Sequence, residues 1–300
     1  MAVQKEIWVR DISEKLFEGV EFATQSINHA AYISGKTVHV PQAGNAPSIT
    51  KDRSTFPATI SQRVDTDLTY NMSEFTTDPI LVRDIEELQS EYDKRQSVLR
   101  SHVDVLNNRL GLEIMNLWAG SLTNTVSTTG DATDNALVSG ATGTRKKMTA
   151  KDVRQLALTM DNQNVPETGR ILVLPASMYY ELFDDAALIN RNVMGRESLP
   201  AGVIDRLFGF DIYVRNNVNR LTAAGSLKAT QTAGAVGDLF AGLAYHPSFV
   251  SRALGSIKVF TDDDKPEYYG SVMSAMVMLG ASKLYTAETG IVTLKQTVGS

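Results

Sequence analysis

Apolar positions along this chain fall into helical and alternating runs. The longest helical run lies at 84–118, where Ile85, Leu88, Tyr92, Leu99, Val103, Leu106, Leu110, Ile114 and Leu117 recur three, four or seven residues apart. That spacing predicts one face of a single helix. Asp78-Pro79 before it and Gly120 after it are start and stop signals, while Gly111 weakens it from within. Such a helix would be roughly 50 Å long at 1.5 Å per residue, which implies an elongated molecule. A second run, 7–28, places Val9, Ile12, Leu16 and Val20 on one face. No nearby apolar segment pairs with it, so its stripe needs a distant or intermolecular surface. A third helix is expected in TAKDVRQLALTMDNQNVP, with Thr149 as its N-cap and Pro166 beyond its end.

The alternating runs predict strands. Residues 36–41 and 57–72 are rich in β-formers and flank QAGNAPSITKDRSTF, a turn-rich tract. Together they read as a long two-stranded excursion with a flexible tip. An isolated ribbon of that kind is marginal in water and needs another surface to lie on. RILVLP reads as a buried strand, PASMYYELFDD as a helix, and FDIYVRN and DLFAGLAYH as strands, with PSFVSRAL a short helix. Residues 170–254 therefore read as a mixed α/β unit. SIKVFTD and YYGSVMSAMVMLGASKLY flank the acidic turn DDDKPE and predict a long hairpin, after which IVTLKQT is a final strand. The Gly-, Ser- and Thr-rich stretches 120–147 and LTAAGSLKATQTAGAVGD read as loops.

Composition narrows the chemistry. A net charge of −5 over 300 residues argues against a dedicated nucleic-acid binder, whose affinity comes from many Lys and Arg on phosphates. There is no cysteine, so disulfides, thiolate metal sites and thiol nucleophiles are excluded. MAVQKEIWVRDISEK has no apolar leader core, and residues 271–285 are too short and too rich in Ser and Gly to span a bilayer. The four histidines, His29, His39, His102 and His246, show no metal-ligand spacing. SGATGTRKKMT lacks the Gly-Lys-Ser/Thr ending of a phosphate loop. Asp262, Asp263 and Asp264 read as a solvated turn, and no serine stands at a nucleophile elbow. No catalytic, cofactor-binding or metal site is expected.

Four phrases carry a resemblance: GKTVHVPQAG, FTTDPILVRDIEELQSEYDKRQSVLRSH, NVPETGRILVLPASMYYEL and FGFDIYVRNNV. Their order resembles that of the major capsid proteins of tailed double-stranded DNA bacteriophages, the Hong Kong 97-type fold, over nearly the whole chain. The resemblance implies a mixed α+β fold. It implies an N-terminal arm at 1–34, an extended hairpin or E-loop at 35–80, and a peripheral domain at 81–165 with a spine helix at 84–118. An axial domain would occupy 166–250, the peripheral domain's long hairpin 251–287, and a strand returning to the axial domain 288–300. Intersubunit contacts are expected at Val38, Val40, Lys51, Arg53 and Phe56 of the E-loop and at Trp8, Ile12, Leu16 and Val20 of the arm. Val38 and Val40 would share one face of a strand, with His39 on the other.

The implied function is a major capsid protein, located in the virion and assembled in the host cytoplasm. It would self-assemble as homo-pentamers and homo-hexamers into an icosahedral shell around double-stranded DNA. A scaffolding protein, a portal and decoration proteins are the other implied partners, with no membrane. There is no fused helical scaffold region and no motif for autocatalytic cross-linking. An encapsulin-like compartment of the same fold and an α/β enzyme on 166–250 are the alternatives. A tail or baseplate component is a third.

Overall fold

The structure, a computed structural model, describes residues 20–44, 48–57, 60, 62–83, 94–134, 143–184, 204, 206–230, 232–285 and 287–299. Its spine is one helix, Lys94–Ala119, about 39 Å long at 1.5 Å per residue. Leu99, Val103, Leu106, Leu110, Ile114, Met115 and Trp118 form its buried stripe. Leu117, expected on that stripe, is instead exposed, and Met115 and Trp118 take its place. Ile85, Leu88 and Tyr92 lie outside the described residues. Gly111 has a reason to stand mid-helix: a Cβ there would lie 2.2 Å from the Arg215 guanidinium. Gly120 follows at φ 57°, the left-handed position that ends helices.

The helix packs against a five-stranded sheet. The predicted hairpin forms β15 (Val250–Lys265) and β16 (Gly270–Lys283), paired from Val250↔Lys283 to Lys265↔Gly270 with two irregularities. Strands β5 (Ser73–Thr76) and β6 (Ile80–Arg83) pair with the free edge of β16. On the other side, β1 (Ile27–Asn28) runs parallel to the start of β15. Alternate residues of β16, Met273, Ala275, Val277 and Leu279, are buried, as the period of a strand requires.

A seven-stranded sheet forms the second half. Its core is β10 (Arg170–Leu174), parallel to β12 (Phe210–Val214) and antiparallel to β14 (Leu239–Tyr245). The final strand β17 (Ile291–Lys295) lies against β14. Short strands β11 (Arg206–Leu207), β13 (Asn219–Leu221) and β7 (Thr125–Ser127) complete it. Both faces are covered, which explains why all five residues of RILVL are buried. Ile171 and Val173 join the cluster of the long helix, whereas Leu172 and Leu174 join that of a second helix, Ala150–Asn162. Thr149 caps this helix as expected. Its N–H and hydroxyl both reach the Asp152 carboxylate, at 2.9 and 3.1 Å.

Four expectations change. The segment 120–147 is not only a loop, because it supplies β7 and the β8 (Ala132–Asp134)–β9 (Thr144–Lys146) pair. PSFVSRAL is one turn of 3₁₀ helix, Pro247–Phe249, followed at once by β15, because its backbone pairs with β16 and β1. The helix at 150–162 packs on the seven-stranded sheet, not on the hairpin with which it was grouped. Of the helix expected at 7–28, residues 7–19 lie outside the described residues; the rest is a four-residue helix, Glu21–Thr24, that starts after Val20, and Ile27 and Asn28 are a strand. Among the described residues, no helix is long and apolar enough to cross a membrane.

Candidate assembly surface

The ribbon is a three-stranded sheet, β2 (Ile33–Ser34), β3 (Thr37–Gln42) and β4 (Thr66–Asn71). Val38 is enclosed by its own chain, in a cluster with Met72 and Ala253 that Val40, Tyr70 and Met278 flank. His39 points the other way and meets Asp67 at 3.1 Å. The root of the ribbon is thus anchored on the long hairpin, and Gln42 donates a 2.7 Å hydrogen bond to the Leu284 carbonyl. The surface Val38 covers is intramolecular.

Beyond the Gln42–Thr66 pair the ladder stops. Arg63 bonds Asp65 at 2.6 Å, and Asp65 also accepts from the Gly44 N–H at 2.9 Å. The Arg63 guanidinium holds that carboxyl below the usual range. Past this clasp the tip carries large apolar side chains with none of the described residues over them. Ile49 is 97% exposed, Ile60 95%, Phe56 76% and Val64 72%. Lys51 and Arg53 are exposed beside them, and among the described residues Arg53 reaches only the Thr50 hydroxyl, at 3.3 Å. Phe56, Lys51 and Arg53 were expected here. Ile49 was missed, and Ile60 and Val64 were read as strand residues. Their signal is an isolated large apolar residue in a run that otherwise favours solvent.

The arm enters the main core. Val20 is buried with Phe22 and Ala23 in the cluster of the long helix, so it is enclosed by its own chain. Phe22 meets Trp118 edge-on at 6.3 Å, and Trp118 lies 4.9 Å from Tyr245. The Tyr245 hydroxyl donates to the Phe22 carbonyl, Arg252 donates to the Ala23 carbonyl at 2.6 Å, and Arg215 sits over the Phe22 ring. Trp8, Ile12 and Leu16 lie outside the described residues.

Buried charges serve as internal ties. Glu288 accepts from the Ser121 and Thr123 N–H groups at 2.7 Å each and pairs with Lys283 at 2.5 Å. Burial alone would raise its pKa, but those partners hold it at about 2. Arg170, also buried, donates to Asp161 and to the Val165 carbonyl at 2.6 Å each. Lys228 pairs with Asp238 at 2.7 Å and pins the loop after β13. His246 caps the 3₁₀ turn by accepting from the Ser248 N–H. No group of three metal-ligating side chains stands together among the described residues. The described part of the phosphate-loop lookalike contains β9, and Lys147 just after that strand meets Asp184 at 3.0 Å. These are structural arrangements, whereas Ile49 and Ile60 of the ribbon tip are the most exposed large apolar side chains among the described residues.

The chain matches the family described as phage capsid protein over residues 30–298. No curated protein sequence matches it. Among solved structures, its fold is similar to the capsid of cyanophage P-SCSP1u, with TM-score 0.67 and 18% identity over 92% of this chain and 87% of that one. It is similar also to a chain of Mycobacterium phage Che8, with TM-score 0.65 and 22% identity over 91% and 90%. The head of Helicobacter pylori bacteriophage KHP40 gives TM-score 0.62 and 14% identity over 90% and 86%. The chain belongs to the phage capsid protein family, and its fold is of the Hong Kong 97 type.

Proposed function

We propose that this major capsid protein builds its shell as pentamers and hexamers by lending its ribbon tip and N-terminal arm to neighbouring copies. On this reading residues 35–80 are the E-loop, the long helix Lys94–Ala119 and the hairpin at 251–287 form the peripheral domain, and 166–250 with 288–300, joined by β7 and the helix Ala150–Asn162, form the axial domain. The contents are double-stranded DNA, held without sequence readout, and the chain works without catalysis. A scaffolding protein, a portal and decoration proteins are its further partners. The observation that supports the reading is the ribbon tip. Ile49, Phe56, Ile60 and Val64 expose apolar surface that none of the described residues of the same chain covers. Large exposed apolar groups grouped together mark an interface. The contacts of Val38 and Val20 are internal, so Lys51, Arg53 and Phe56 carry the intersubunit role. Changing Phe56 to Ser tests this. Assembled particles, counted by light scattering and electron microscopy, should fall sharply while the subunit's circular dichroism stays the same. Equal yields of shells from Phe56→Ser would refute the role of the tip.

A further inference from the structure

Among the described residues, three connections carry the chain between the two large sheets, and they meet at one place. They are residues 120–124 after the long helix, 246–249 between β14 and β15, and 284–290 between β16 and β17. Backbone bonds lace the last two together. The His246 N–H donates to the Gly290 carbonyl and the Leu284 N–H to the Phe249 carbonyl, both at 3.0 Å. The Phe249 ring fills the notch over Gly290, where a Cβ would lie 2.4 Å from it. Two titratable groups complete this waist. One is the Glu288 carboxylate, which holds the Ser121 and Thr123 N–H groups, and the other is His246.

His246 is 8% exposed and uses both ring nitrogens. Its Nδ1 accepts from the Ser248 N–H and its Nε2 donates to the Thr168 carbonyl, at 3.2 Å each. An amide N–H can only donate and a carbonyl can only accept, so these partners select one neutral tautomer. A further proton goes to Nδ1 and sets N–H against N–H. The surroundings do not welcome the added charge. Arg170 of β10 acts on the ring with a positive charge of its own, and its guanidinium is taken up by Asp161 and the Val165 carbonyl. Lys283 and Glu288 of the neighbouring connection neutralise each other. The Phe249 ring, with Tyr285 beyond it, packs edge-on against the imidazole. Burial lowers the imidazole pKa from 6.5, and the Arg170 charge lowers it further, against the Thr168 bond. The neutral ring's contribution is therefore complete above about pH 6.5 and is lost as pH falls through the lower folded value.

We propose that His246 is an acid-operated latch: mild acid protonates Nδ1, releases the Pro247–Phe249 turn and frees the connection between β14 and β15. Glu288 keeps its charge down to about pH 2, so the tie to Ser121 and Thr123 holds while the latch opens. The latch belongs to the subunit itself and stands whether or not shells form. Amide exchange of the full chain, corrected for its intrinsic pH dependence, tests it between about pH 7.5 and about pH 5, the range in which histidine switches work. Exchange at Ser248 and Phe249 should quicken by roughly 2- to 30-fold, the range of a lost cap, and exchange at Ser121 and Thr123 should not. His246→Asn supplies a capping oxygen that does not titrate, and should abolish the acid response. A response of the same size in His246→Asn, or equal quickening at Ser121 and Thr123, would overturn the latch. The imidazole shifts of the unaltered chain, read by NMR, report the proton independently of any variant. The ring should titrate together with the change in exchange, and a ring that stays neutral throughout this range would overturn the proposal.

Discussion

Replacing Glu288 with Gln probes the tie between the end of the long helix and the approach to β17. The carboxylate is 2% exposed, and its pKa falls from 4.5 to about 2 because Lys283 and the Ser121 and Thr123 N–H groups favour the charged form. A shift of that size corresponds to about 3 kcal/mol of folding stability. The sign follows from a depressed pKa. The contribution is fully present above about pH 4.5 and is lost as pH falls toward 2. Glutamine keeps the shape but removes the charge and presents Lys283 with a neutral partner. At pH 7 the variant should therefore lose on the order of 2–3 kcal/mol, because breaking one side of a buried pair leaves the other uncompensated. Urea unfolding of unassembled subunits measures this, with the buried Trp118 as fluorescent reporter. The deficit should be flat from pH 8 to about 5 and shrink below it. A deficit under about 0.5 kcal/mol, a typical surface value, or one independent of pH would refute the reasoning.

Gly111→Ala puts a Cβ against the guanidinium end of Arg215, which can move aside by giving up its bonds to the Asn108 and Asn217 carbonyls, while Ala gains about 1 kcal/mol of helix propensity, so stability should change by less than about 1 kcal/mol; thermal melting checks it, and a loss above about 2 kcal/mol would show that Arg215 is held rigidly. Tyr245→Phe leaves the Phe22 carbonyl without its donor and should cost about 1–3 kcal/mol. Amide exchange at Ala23 and Ser26 should quicken with it. Changing Lys51 and Arg53 together to Glu should hinder assembly and leave the subunit's melting temperature nearly unchanged, since both are exposed and each surface pair is worth about 0–1 kcal/mol.

Most of the framework was legible because it is periodic. The stripe from Leu99 to Ile114, the Thr149 cap, the five apolar residues of β10 and the alternation of β16 each repeat a local rule. What stayed hidden depends on distant partners. Strands β7, β8 and β9 have three residues each, too few to show a period, and β7 exists because β17 runs beside it. VSRAL carries helical spacing, yet pairing with β1 and β16 makes it a strand. Leu117 fits the stripe by number, but Met115 and Trp118 are the residues turned inward where Phe22 and Tyr245 meet the helix. Gly111 looked like a weakness until Arg215 arrived from 104 residues away. At the assembly surface, the charged tip was legible, whereas the internal roles of Val38 and Val20 required the fold.

On the proposed function, this chain is a shell subunit whose ribbon tip is completed by a neighbour. Negative-stain imaging of the expressed protein with its scaffold decides the matter. Closed isometric particles are expected from the unaltered chain, and their loss when Lys51 and Arg53 are changed to Glu. A compact monomer that persists at high concentration with scaffold present, or intact shells from the charge-reversed chain, would contradict it.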